Sequence, residues 1–168
     1  VGHLNLNGLT ELSEATAESL SKHEGYSLNL DGLTSLSDAA AESLSKLEGY
    51  LTLEGLTKLS DAAVENLSKH AGDLYLRGLT SLSDAAAESL SKHKGSLHLD
   101  RLVNLSEAAT EILCKHEGDL WLRGLTELSD AAAESLANRK PKFRSWEIKL
   151  DNLPASVAKI LRDAGHGE

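Results

Sequence analysis

Cysteine, methionine and proline are nearly missing from this chain of 168 residues: Cys occurs once, Met not at all and Pro twice. A lone Cys114 forms no internal disulfide and excludes zinc sites built on paired cysteines. Phe also occurs once, and Leu, Ala and Ser dominate the composition. Basic residues are outnumbered, 17 Lys and Arg against 26 Asp and Glu, for a formal charge of −9. That balance argues against nucleic acid and anionic membranes as partners, since both are gripped by clustered Lys and Arg. No apolar run approaches the roughly 18 residues of a membrane span, so membrane insertion is not expected. No signal peptide is visible, and the start at Val1-Gly2-His3-Leu4 reads as a processed or excised segment. Catalytic signatures are lacking too: there is no nucleophile elbow, His-Glu-x-x-His, P-loop or Gly-rich dinucleotide turn. Neither an enzyme nor a cofactor or metal centre is expected.

What the chain has is self-similarity. Leu-x-Leu pairs stand at Leu4/Leu6, Leu28/Leu30, Leu51/Leu53, Leu74/Leu76, Leu97/Leu99 and Leu120/Leu122, with Ile148/Leu150 as a degenerate seventh copy. After a first step of 24 residues, four steps of 23 follow, and a last step of 28. Such a period signals a solenoid of stacked units. A lone unit cannot fold, because its few leucines do not offset a backbone entropy cost of about 1–2 kcal/mol per residue. Stacking is obligatory.

Two periodicities alternate inside the unit. Leu28-Asn29-Leu30-Asp31 alternates with period two, as a strand buried on one face should. After a turn at Gly32, Ser37 is placed to N-cap a helix and Asp38 puts negative charge on its first turn. Ala40, Leu44 and Leu47 then make one inward stripe. Lys46 complements the helix dipole, and Gly49 is expected to supply a left-handed stop. Because each strand follows a helical return, the sheet should be parallel, with helices over one face.

These residues resemble a bacterial leucine-rich repeat of the 23-residue variety. The pattern L-x-L-x-G-L-T-x-L-S-D-A-A-A-E-S-L-S-K-H-x-G covers about 140 of the 168 residues. The resemblance implies an α/β horseshoe or arc, with a parallel sheet on the concave side and helices on the convex side. It also implies a recognition module. One departure stands out: the Asn that the family carries three residues after the second strand Leu is here Leu9, Leu33, Leu56, Leu79, Leu102 and Leu125. Thr34 and its equivalents, one residue later, are candidates to supply hydroxyls to that turn.

Residues 1–140 read as six repeats, the first starting at its strand, and 141–168 as a degenerate seventh strand plus a capping helix. Pro141 ends the sixth helix, and Phe143 and Trp146 read as parts of the cap. A last helix is expected over Ala155 to Asp163, with Val157, Ile160 and Leu161 on one side. No comparable cap precedes Val1, so end-to-end self-association through the first repeat is expected. The fifth repeat breaks rank, with Arg101 in place of the turn Gly and Val103 in place of Thr.

Near-identical repeats differ most in two lanes on the outer strand face. The lane between each Leu pair reads Asn5, Asn29, Thr52, Tyr75, His98, Trp121, Lys149, and the lane just after reads Asn7, Asp31, Glu54, Arg77, Asp100, Arg123, Asp151. Tyr, Trp and Arg dominate binding hot spots. Tyr75, Arg77, His98, Asp100, Trp121 and Arg123 are therefore the candidate partner-binding residues. The blander reading is that Tyr and Trp are good strand formers stacked across a solvated sheet. Another protein is the expected partner, through the concave face. A structural or surface-display array and carbohydrate binding by the aromatic stripe are the alternatives. A column of His23, His70, His93 and His116 repeats at one helix position and is read as structural helix capping, not as a metal site, because zinc needs convergent tetrahedral ligands.

Overall fold

The computed structural model describes residues 2–138 and 146–166. Arg139, Pro141, Phe143 and the boundary between residues 140 and 141 lie outside the described residues. Strands and α-helices alternate: β1 His3–Asn5, α1 Glu14–Leu20, β2 Ser27–Asn29, α2 Asp38–Leu44, β3 Tyr50–Thr52, α3 Asp61–Leu67, β4 Leu74–Tyr75 and α4 Asp84–Ser91. They continue with β5 Leu97–His98, α5 Glu107–Leu113, β6 Leu120–Trp121, α6 Asp130–Ala137, β7 Trp146–Glu147 and α7 Ala155–Asp163. A 3-10 turn at Leu150–Asn152 precedes α7. Among the described residues the strands form one parallel sheet in sequence order, β1 to β7, a solenoid-like arrangement of repeated strand–helix units.

Leucine spacing sets the core. Leu51 and Leu53 of β3, Leu56 of its turn, and Ala63, Val64 and Leu67 of α3 are all buried in a single apolar cluster with their counterparts from the other units. The stripe of Ala40, Leu44 and Leu47 is buried as its spacing requires, although α2 ends at Leu44 and Leu47 lies in the turn beyond. Of the first unit's leucines, Leu4, Leu6, Leu9, Leu12 and Leu20 are only partly buried. At the other end α7 lies over the residues that the sequence pattern gives it and buries Val157, Ala158 and Leu161, while Ile160 is half-buried.

Serine caps tie the units together twice over. Ser83 accepts a hydrogen bond from the Ala86 amide at 3.0 Å, the N-cap that its position predicts. Its hydroxyl also donates to Asp61 of the preceding helix at 2.5 Å. Ser106 does the same toward Ala109 and Asp84, and Ser129 toward Ala132 and Glu107. One hydroxyl thus closes its own helix and holds the neighbouring one.

Gly49 has the expected left-handed backbone, with φ 91°, but it stands four residues beyond the Ser45 C-cap of α2. Gly25, Gly72, Gly95 and Gly118 at the equivalent position do not share that backbone. What they share is close approach: a Cβ on Gly72 would sit 1.6 Å from the Gly49 carbonyl oxygen, and one on Gly95 would sit 2.2 Å from that of Gly72. Bare backbone stacks on bare backbone there, and a side chain has no room.

The threonine hydroxyls serve the turns weakly, reaching the preceding unit at 3.4 Å (Thr34 to the Thr10 carbonyl) and 3.5 Å (Thr80 to the Thr57 carbonyl). Side chains of the second lane do more in the N-terminal units. Asn7 accepts from the Asp31 amide at 3.0 Å, and Asp31 from the Glu54 amide at 2.9 Å.

Candidate functional site

On each strand the leucines face the helices, and the residues between them form the opposite, open face of the sheet. The parallel register places Thr52, Tyr75, His98 and Trp121 side by side on consecutive strands. The seventh strand corrects the sequence reading. Trp146 pairs with Leu120 and Glu147 with Trp121, so Glu147, not Lys149, is the last member of this lane. Ile148/Leu150 is therefore not the strand pair; Leu150 opens the 3-10 turn instead.

The rings stack. Tyr75 and His98 lie 4.0 Å apart between centroids at 10°, and His98 and Trp121 lie 3.9 Å apart at 7°. Tyr50 approaches Tyr75 edge-on at 6.2 Å. Strands about 4.8 Å apart bring flat side chains of one lane near van der Waals contact. His98, held on both faces, is only 7% exposed, while Tyr75 and Trp121 are half-buried. Burial and the Arg77 guanidinium push the His98 imidazole down to about 4, with Asp100 opposing. Burial likewise raises the Tyr75 phenol, with Asp73 adding to the effect.

The second lane is a charge ladder of alternating sign. Arg77 donates to Glu54 at 2.8 Å and to Asp100 at 3.2 Å, and its guanidinium lies 5.0 Å from the Tyr75 ring centroid. Its remaining arm is 3.4 Å from His98 Nδ1, which must accept and so carries no proton. Arg123 is 3.8 Å from Asp100 and donates to Glu147 at 2.6 Å. All six candidate residues are thus brought together, but both arginines are already engaged by carboxylates of the same face. The rings cover one another, which is the packing that the strand-former alternative describes.

Sequence reasoning passed over two aromatics. Tyr26 is 64% exposed and Tyr50 46%, both ahead of the strand leucines rather than within the two lanes. Tyr50 stands directly before Leu51, where other units carry Asp or Ser, and Tyr26 is the extra residue before Ser27 and Leu28.

Three members of the histidine column lie between units rather than at solvated helix ends. His70, His93 and His116 are buried, with His70 and His93 each 2% exposed. Their rings lie nearly parallel, 6.5 Å apart for His70–His93 and 6.2 Å for His93–His116. His70 Nε2 donates to the Gly49 carbonyl at 2.9 Å, and His93 Nδ1 to the Ser68 carbonyl at 3.2 Å. His70 and His93 therefore each satisfy backbone of the preceding unit. Burial lowers the His70 and His93 imidazoles from their ordinary range, against the raising effect of those carbonyls. Among the described residues no group of three or more His, Cys, Asp or Glu is arranged to hold a metal ion, and no helix is long and apolar enough to cross a membrane.

No family model and no curated protein matches the chain.

Proposed function

We propose that the chain is a leucine-rich-repeat solenoid whose open sheet face, the concave face in that family, binds another protein without catalysis. The observation that carries this reading is the prearranged row of Tyr75, His98 and Trp121, bordered by Arg77, Asp100 and Arg123. Stacking and ion pairs hold these side chains in place before a partner arrives, so little side-chain entropy is lost on association. Tyr, Trp and Arg are also the residue types that carry most binding energy at protein interfaces.

The same stack weighs against a sugar. A carbohydrate packs its C–H groups on an exposed ring face, whereas both faces of His98 are covered and Arg77 lies over Tyr75. What the row offers is ring edges and charged groups.

The test is affinity for a partner selected by display against the full chain. Tyr75→Ala together with Trp121→Ala weakens that partner by tenfold or more, while Glu88→Ala on the helix side leaves it unchanged. Equal affinity for all three proteins, with unchanged circular dichroism, sinks the reading and leaves a structural array.

A further inference from the structure

The open face is not electrostatically uniform. Arg77 and Arg123 both belong to its C-terminal half, each paired with carboxylates. Toward the N-terminus the lanes carry Asn5, Asn29 and Thr52, then Asn7, Asp31 and Glu54, with no Lys or Arg. Asp73 stands at the head of β4, close enough to raise the Tyr75 phenol. Among the described residues no ion pair neutralises Asp31 or Asp73. Their hydrogen bonds come from the neutral amides of Glu54 and Ser96, at 2.9 and 2.7 Å. An amide donor satisfies a carboxylate oxygen without cancelling its charge.

Within this negative field stand two exposed tyrosines, Tyr26 and Tyr50. They are not in register, since Tyr50 pairs with Ser27, but Tyr26 comes one residue earlier and its carbonyl accepts from the Tyr50 amide at 2.8 Å. Tyr26 stacks loosely on His3 (6.4 Å, 29°) and Tyr50 meets Tyr75 only by an edge, so both keep ring surface toward solvent. Tyr26 also walls a groove of about 650 Å³ with Glu24 and Glu48. The lysines of that groove, Lys22 and Lys46, lie 3.8 and 3.5 Å from Glu18 and Glu42. Exposed tyrosines beside carboxylates without an ion pair among the described residues, Glu24 and Glu48 in the Tyr26 groove and Asp73 on the strand next to Tyr50, favour one chemistry above others, the guanidinium group. It stacks on aromatic rings and pairs with carboxylates in the plane of its fork.

We propose that Tyr26 and Tyr50, with Glu48 and Asp73, dock an arginine-bearing extended segment of a partner protein. This rests on the reading of the open face as a protein-binding surface and assigns the chemistry of its N-terminal half. A phosphate-bearing polymer is repelled by the same carboxylates.

The experiment measures fluorescence anisotropy of a labelled peptide of alternating arginine and glycine added to the full chain. Lysine–glycine and glutamate–glycine peptides serve as comparisons. The arginine peptide binds, the lysine peptide binds more weakly and the glutamate peptide does not bind. Tyr26→Ala with Tyr50→Ala lowers the arginine-peptide affinity by about tenfold, the size of one or two cation–ring contacts, and Phe at both positions restores it. Glu48→Gln with Asp73→Asn lowers it too, the Asn keeping the acceptor that caps the Ser96 amide. Glu88→Ala on the helix side leaves it unchanged. Absence of arginine-peptide binding, or binding indifferent to the tyrosines, overturns the inference. If the display-selected partner still depends on Tyr75 and Trp121, the broader reading survives that failure. If only the arginine peptide responds, the open face still takes a protein segment, and the row of Tyr75 and Trp121 is not where it does so.

Discussion

His98 lies flat against Trp121, with 3.9 Å between ring centroids and 7° between planes, and Tyr75 closes its other face. An imidazole so placed is a hydrophobic slab as much as a base. Its Nδ1 accepts from Arg77 and cannot take a proton without confronting that guanidinium.

Acid should therefore loosen the stack. The folded imidazole titrates near 4 against an ordinary 6.5, so the unfolded chain takes up the proton first as pH falls. His98's contribution is fully present above pH 6.5 and is lost as pH falls toward 4, by up to about 3 kcal/mol. Urea unfolding at pH 7 and pH 4.5 checks this. His98→Phe, which keeps a flat ring, shows a smaller loss between the two pH values. An unchanged pH dependence in that variant would falsify the assignment.

Buried His70 and His93 add to the same slope. Leu47 fills the equivalent position in the second unit and is also buried, so the site accepts an apolar side chain. His70→Leu forgoes the bond to the Gly49 carbonyl, worth about 1 kcal/mol, and removes a group that burial keeps neutral. The variant is expected to match the parent within about 1 kcal/mol at pH 7 and to exceed it near pH 5. A larger deficit at pH 5 than at pH 7 would contradict the direction of the His70 shift.

Two glycines separate close approach from mere sequence pattern. Gly72→Ala drives a methyl into the Gly49 carbonyl oxygen, 1.6 Å from an ideal Cβ, and costs several kcal/mol, on the order of severe overpacking. Gly8→Ala meets nothing within 4 Å and shifts stability by less than about 1 kcal/mol. Urea midpoints of the two variants should differ accordingly.

The serine caps should show coupling across units. Ser83→Ala removes the acceptor for the Ala86 amide and the donor to Asp61, at a cost of about 1–2 kcal/mol. In a double-mutant cycle with Asp61→Ala, part of that loss disappears. Strict additivity would mean that the Ser83–Asp61 bond contributes nothing.

Much of this was legible in the letters. Alternation of Leu28 and Leu30 fixed a strand, Ser37 with Asp38 fixed a helix start, and their recurrence fixed the parallel order, because local signals agreed at every level. The open-face row was legible for the same reason: residues of one lane must be neighbours once the register is constant. Where the period failed, so did the reading. The 28-residue step hid that Glu147 rather than Lys149 follows Trp121. The histidines were misjudged because a recurrent polar residue after a helix suggests a solvated cap. Its burial depends on how closely Gly72 and Gly95 let successive coils approach, which no single unit reveals. The pairing of Arg77 with Glu54 and Asp100 needed side-chain reach across three strands.

Main chain resting on main chain at Gly49, Gly72 and Gly95 makes the pitch of the coil independent of what is written on the open face. Lettering and frame are separate inheritances: rings or charges can be exchanged along a lane while the distance from one turn to the next stays as it was. Grafting of a new row of side chains onto this face is thus limited by solubility and by their mutual packing, not by the backbone beneath them.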